Sequence, residues 1–190
     1  MKPLIIINHA AAKARRAWPK VKSLLDAAGI AVESYETTGP GDATAKTRQA
    51  LRDGVTTIGV VGGDGTLSEA AEGFFELTPY VAGMPSPINP SAALAIFPAG
   101  TGDDFARGIT KGDRASLEHW TNIFISHCHA PDDDRTVIID VLYGSCNDYR
   151  TPFICLNAST MGIGGETATR VAAQGEVMRQ LSGEARFAAA

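Results

Sequence analysis

Short apolar runs alternate along the first half of the chain with stretches in which apolar residues return every three or four positions. The runs suit buried strands, and the spaced stretches suit amphipathic helices. Residues 4–7 predict a first strand, and Asn8 opens the loop at its carboxyl end. Trp18, Val21, Leu24, Leu25 and Ala28 then mark one face of a helix that Gly29 closes. Residues 31–36 predict a second strand, followed by a polar loop in which Asp42 is placed to cap the next helix. Ala43, Thr47, Ala50 and Leu51 form that helix's inner face, and Gly54 ends it. A third strand covers residues 57–61, and Leu67, Ala70, Ala71, Phe74 and Phe75 predict the stripe of the helix after it. A proline-rich connector leads to a fourth strand over residues 93–97. Strand and helix in strict alternation predict an α/β fold, an open parallel sheet with helices on both faces. In such a sheet ligands bind at the carboxyl ends of the strands.

Beyond residue 110 the pattern changes. A helix is predicted over residues 116–125, with Leu117, Trp120 and Phe124 as its apolar face. Two apolar runs, 136–143 and 152–157, predict antiparallel strands. A glycine turn at residues 161–165 leads toward a helix from about Glu166. The expected division is an α/β domain over 1–125 and the start of a β-rich second domain over 126–190.

The third strand ends in Gly62-Gly63-Asp64-Gly65-Thr66, and a helical pattern follows at once. Glycines without Cβ atoms let backbone N–H groups come close to a ligand. A helix start adds unpaired donors and the positive end of the macrodipole. Together these predict a phosphate cradle. No Gly-Lys-Ser/Thr follows the glycines, and the spacing is not that of a dinucleotide fingerprint. Asp64 is the odd member, because a bare carboxylate repels phosphate. It requires a metal, a hydroxyl or a backbone partner. Thr66 and Glu69 have the spacing of a capping box. A second loop, Pro98-Ala99-Gly100-Thr101-Gly102-Asp103-Asp104, repeats the scheme after the fourth strand.

Composition narrows the function. The chain has 190 residues, 44% hydrophobic and 20% charged, enough to bury a core. Its net charge of −4 argues against a basic nucleic-acid surface and against firm electrostatic attachment to anionic membranes. Cys128, Cys146 and Cys155 form no C-x-x-C pair and predict buried free thiols in a reducing cytoplasm. No apolar run reaches transmembrane length, and the first strand is too short for a signal h-region. His127, Cys128, His129 and the acidic run 132–134 match no standard zinc spacing and read as a solvated loop. His119 and Trp120 read as packing residues, and Arg15, Arg16 and Lys20 as a solvated helix face. His9 is a structural loop histidine or a phosphate neighbour, and Asp140 is expected within a strand.

With both glycine loops in view, the chain resembles the diacylglycerol kinase catalytic domain family, which includes bacterial soluble lipid kinases and sphingoid-base kinases. The resemblance rests on Gly62 to Thr66 and on Pro98 to Ala106, with support from the Asn8 loop, residues 37–43 and residues 153–165. The second loop selects this branch over NAD kinases and phosphofructokinases. Asp103 stands where the family usually has Asn, and His9 where it often has Pro.

The resemblance implies an ATP-dependent lipid kinase that phosphorylates diacylglycerol or a similar lipid alcohol. The alternatives are a nucleotide-binding module without turnover and an NAD kinase-like phosphotransferase. ATP and Mg²⁺ are the implied cofactors. The residues placed to hold them are Asn8, Thr37, Gly62, Gly63, Asp64, Gly65, Thr66, Leu67, Ser68, Glu69, Gly100, Thr101 and Asp103. Asp64 is the expected catalytic residue and the expected metal ligand. The lipid would be met transiently at a membrane surface, with no nucleic-acid partner and with a homodimer left open. Family members run on into a β-sandwich that holds a carboxylate base, and no room for it is seen after Gly183. A fragment is therefore expected, or else catalysis resting on Asp64 alone.

Overall fold

The computed structural model describes residues 1–79, 83–131, 136–146 and 150–157, together with Glu166, Arg170 and Ala173. Four strands, β1 (Leu4–Ile7), β2 (Glu33–Glu36), β3 (Thr57–Gly62) and β4 (Ala93–Pro98), form one sheet in the order β2-β1-β3-β4. Every pairing in it is parallel. Its helices are α1 (Ala12–Ala27), α2 (Asp42–Arg52), α3 (Asp64–Glu72), α4 (Asp104–Ile109) and α5 (Leu117–His129). The expected α/β sheet is present. A hairpin of β5 (Leu142–Cys146) and β6 (Thr151–Cys155) follows it.

Alternation along the strands sorts the core into two layers. Leu4, Ile6, Ile58, Val60 and Ile96 point to one face, where α2 and α3 cover them with Ala43, Ala50, Leu51, Leu67 and Ala70. Ile5, Ile7, Val61 and Phe97 point to the other, under Ala14, Ala17, Val21 and Leu25 of α1. α5 lies beside α1 and β4. Its Phe124 ring meets Phe97 edge-on, with centroids 5.3 Å apart. Gly59, in mid-strand, leaves the space that Ile5 and Phe97 fill, since a Cβ there would come within 2.6 Å of Ile5.

Several local expectations are corrected. The inner face of α1 starts earlier, at Ala14 and Ala17, because small residues let the helix approach the sheet closely; Trp18 is only half-buried. β2 begins at Glu33, not at residue 31. α3 stops at Glu72, so Phe74 and Phe75 lie past its end. There Phe74 and Glu76 bond to the chain at Ile88 and Ser86. The helix start that the Asp103-Asp104 pair allows is present as α4, only six residues long. α5 runs to His129, capped at its start by Ser116, whose hydroxyl accepts the His119 N–H at 3.1 Å. The fifth strand starts at Leu142, and residues 136–141 run without regular structure. Asp140 is therefore exposed ahead of the strand.

Residues 1–157 pack as one unit and 158–190 as another. The first unit includes the hairpin, whose Ile154 is buried and whose strand β6 lies against α3. α5 crosses the expected boundary at 125/126 without a break. In the second unit Glu166, Arg170 and Ala173 are helical, and Arg170 pairs with Glu166 at 3.0 Å. The predicted turn at 161–165 and the acidic run 132–134 lie outside the described residues.

Candidate functional site

The sheet reverses its direction of growth between β1 and β3. β1 leads to β2 on one side, and the chain then returns to place β3 on the other. The connecting helices depart to opposite faces, which opens a crevice at the carboxyl ends of these strands. Asn8 and Thr66 close its floor, with the Asn8 amide donating to the Thr66 hydroxyl at 2.8 Å. This fixes Thr66 at the third position of α3. The helix begins with Asp64 and is preceded by Gly63, which supplies no side-chain cap. The capping-box expectation is corrected on this point. Thr66 is bonded to Asn8, and Glu69 accepts the Gly41 N–H at 3.1 Å through its carboxylate. The first intrahelical bond runs from Leu67 N–H to the Gly63 carbonyl. The amides of Asp64, Gly65 and Thr66 thus precede the ladder and face outward unpaired, as in any helix start.

The two glycine loops touch. Ala99 N–H donates to the Gly62 carbonyl at 2.9 Å. A Cβ on Gly63 would stand 3.0 Å from the Gly100 Cα, and one on Gly100 would stand 2.6 Å from the Gly63 Cα. Only glycine at both positions permits this approach. Gly65 differs, because a Cβ there would meet nothing within 4 Å. Its open side is the space a ligand could use.

Asp64 has the backbone partner that its charge requires. Its two oxygens accept the N–H groups of Asp104 and Phe105, each at 3.0 Å. The carboxylate thereby caps α4 and ties the second loop to the first. Each oxygen keeps one lone pair. Among the described residues no group of three His, Cys, Asp or Glu is placed to hold a metal. A divalent cation would fit here as Mg²⁺ commonly binds, with waters and substrate phosphates completing its shell around one carboxylate.

Asp103 is the other carboxylate of the crevice. It adopts left-handed backbone angles, φ 52 and ψ 45, and its Oδ1 accepts the Gly100 N–H at 2.7 Å. Burial pushes its carboxyl above the ordinary value of 3.8, and the Asp64 charge adds to this. The Gly100 N–H, Lys13 and Arg114 pull the other way. Lys13, which sequence reasoning passed over, reaches from α1 to the Gly100 carbonyl at 2.8 Å. Its signal was available as a cation five residues past Asn8, at the start of α1.

The remaining predicted residues divide. Thr37 continues the β1–β2 ladder, its N–H donating to the Ile7 carbonyl at 2.9 Å. Ser68 is half-buried on α3, Leu67 belongs to the core, and Thr101 is exposed. Asp42 is the first helical residue rather than the cap. Its carboxylate accepts the Thr38 N–H at 2.7 Å, and the Thr38 bonds hold its carboxyl below the ordinary value. His9 pairs with Glu36 at 2.7 Å. Trp120 is buried, as a packing residue should be. The three cysteines are free thiols, but none is fully buried as expected: Cys146 is exposed, and Cys128 and Cys155 are half-buried.

Residues 2–132 match the family model for the diacylglycerol kinase catalytic domain. The chain belongs to that family. A diacylglycerol kinase of Staphylococcus carnosus is 33% identical over 107 residues, covering 55% of this chain and 31% of that protein. One from Staphylococcus haemolyticus is 36% identical over the same length, covering 29% of its own. The chain thus spans about a third of the length of these curated relatives. Among solved structures, a diacylglycerol kinase from Bacillus anthracis superposes with a TM-score of 0.51 at 28% identity, covering 66% of this chain and 43% of that one. A second structure from the same organism, of a putative diacylglycerol kinase, gives 0.50 at 27% identity. Both loops of the crevice fall inside the segment that defines the family. No described helix is long and apolar enough to cross a membrane.

Proposed function

We propose that this chain carries the nucleotide-binding part of an ATP-dependent lipid kinase, with diacylglycerol or a similar lipid alcohol as acceptor. The supporting observation is the contact between the Gly62–Gly65 turn and the Gly100–Asp103 loop at the sheet's switch point. The amides of Asp64, Gly65 and Thr66 would bind the nucleotide phosphates, aided by the dipole of α3. Thr37, Ser68 and Thr101 would hydrogen-bond the nucleotide. Lys13 lies near enough to add positive charge. Asp64 would orient the cation through water while it holds the second loop in place. Mg²⁺, when bound, would neutralise charge on the transferring phosphoryl group. Phosphoryl transfer asks for positioning and charge stabilisation above all, and the two locked loops supply a rigid frame for both. The β5–β6 hairpin would open the β-rich part against which the lipid chains lie, and a cytoplasmic location with transient membrane contact would follow.

Gly65→Ala separates binding from folding. Its Cβ enters open space, and Ala favours a helix over Gly by about 0.5–1 kcal/mol, so thermal stability should hold or rise. Calorimetry with ATP and Mg²⁺ should show affinity falling at least about tenfold, because the methyl group fills the phosphate approach. Equal affinity in the variant would remove the cradle from this turn. A labelled-phosphate assay on mixed lipids tests the second half: nucleotide binding without lipid product would leave only a nucleotide-binding module.

A further inference from the structure

The acidic side chain at position 103 occupies an unusual place for a site that is to receive a polyanion. Its backbone lies in the left-handed region, one of two non-glycine residues with positive φ among those described. Its Oδ1 is held by the Gly100 N–H at 2.7 Å, so the side chain is pinned rather than free to swing into solvent. Gly100 in turn abuts Gly63, the residue before α3. Asp103 lines the same crevice as Gly62, Gly63 and Asp64.

Neighbouring charges offset it only in part. Asp104 is already paired with Arg107. Asp64 is turned to the α4 amides and repels Asp103. Lys13 keeps its charge while bonded to the Gly100 carbonyl, and it and Arg114 offset Asp103 from a distance without pairing with it. The Gly100 amide, a donor that a phosphate could otherwise use, is engaged by a carboxylate instead.

We infer that Asp103 makes nucleotide binding at the Gly63–Thr66 turn strongly dependent on a divalent cation, because its fixed charge opposes bare polyphosphate and is offset when the phosphates carry Mg²⁺. This rests on the nucleotide reading proposed above and adds to it a residue that sharpens the metal requirement beyond what an Asn at this position would give. Magnitude supports the idea. One charge about 6–8 Å from a polyphosphate, at an effective dielectric of about 40, changes affinity by about tenfold. Mg²⁺ neutralises about two of the roughly four phosphate charges and so about halves that effect in free energy, to about threefold.

The test is calorimetry on the full chain with ATP, once in EDTA and once in excess Mg²⁺, for wild type, Asp103→Asn and Asp103→Gly. Asn and Gly both accept left-handed angles, so each variant should fold, and thermal melts verify this. Asn keeps an oxygen for the Gly100 N–H; Gly does not. Both variants should bind metal-free ATP about tenfold tighter than wild type, while Mg²⁺-ATP affinity moves by only about threefold. The ratio of the two affinities is the readout, and a merely structural role would shift both conditions together. A parallel shift, or no shift, overturns the inference and leaves the nucleotide reading standing. Tightening in the Gly variant alone would assign the effect to the released amide and overturn the charge explanation. If wild type binds ATP in neither condition, the inference and the nucleotide reading fall together.

Discussion

Asp64 repels any phosphate that approaches the turn, yet the fold keeps it by giving each oxygen a backbone N–H from α4. Its presence in a glycine turn is then a matter of anchoring as much as of chemistry. Asp64→Asn retains one carbonyl acceptor and sets an NH₂ group against the other amide. It should cost about 1–2 kcal/mol, seen as a lower urea midpoint with an unchanged slope. An unchanged midpoint would show that the two bonds add nothing to the folded state. Sequence reasoning named a backbone partner as one of three ways to tolerate Asp64, but it could not choose among them. The partner lies forty residues downstream, at Asp104. The Thr66–Glu69 spacing misled for the same reason. Asn8, fifty-eight residues upstream, takes the Thr66 hydroxyl that a local cap would have used.

Among the elements, α1 breaks a local rule. Pro19 sits at its middle, exposed, and lacks the N–H that would bond back to the Arg15 carbonyl. Pro19→Ala restores that donor and should stabilise the chain by about 1–3 kcal/mol, read from denaturant melts. No gain would mean that the helix bends at this point for the sake of its packing on the sheet. The hairpin shows the opposite case, a glycine fitted to its partner. Gly144 faces Phe153 across the β5–β6 ladder, and a Cβ there would stand 2.5 Å from the ring. Strands β1, β3 and β4 were legible because a strand buried on both faces reads as a continuous apolar run. β2 was less so: Glu-Ser-Tyr-Glu at a sheet edge carries charges that blunt the edge and also hide the strand. α4 was legible only as a possible cap at Asp103-Asp104, because six residues hold less than two turns of periodicity.

Across the whole molecule stability should be graded from the centre of the sheet outward. β1 and β3 are buried along their length, whereas β2 is exposed along its outer edge. Amide exchange should therefore be slowest from Ile5 to Ile7 and from Ile58 to Val61, and faster by orders of magnitude from Glu33 to Glu36. Uniform protection over all four strands would contradict this gradient. The same gradient places the candidate site on the most rigid part of the chain, since Asn8, Gly63 and Asp64 follow directly from β1 and β3.

The sequence alone determined the alternation of strands and helices, the parallel sheet and the two glycine loops that place the chain in its family. Each of these depends on short-range rules: periodicity, β-branching and residues without a Cβ. Tertiary structure alone decided which donor meets which acceptor. It turned Asp64 onto α4, Glu69 onto Gly41, Thr66 onto Asn8 and Lys13 onto Gly100. A polar side chain takes the partner that the folded backbone brings within about 3 Å, and sequence distance sets no limit on which partner that is.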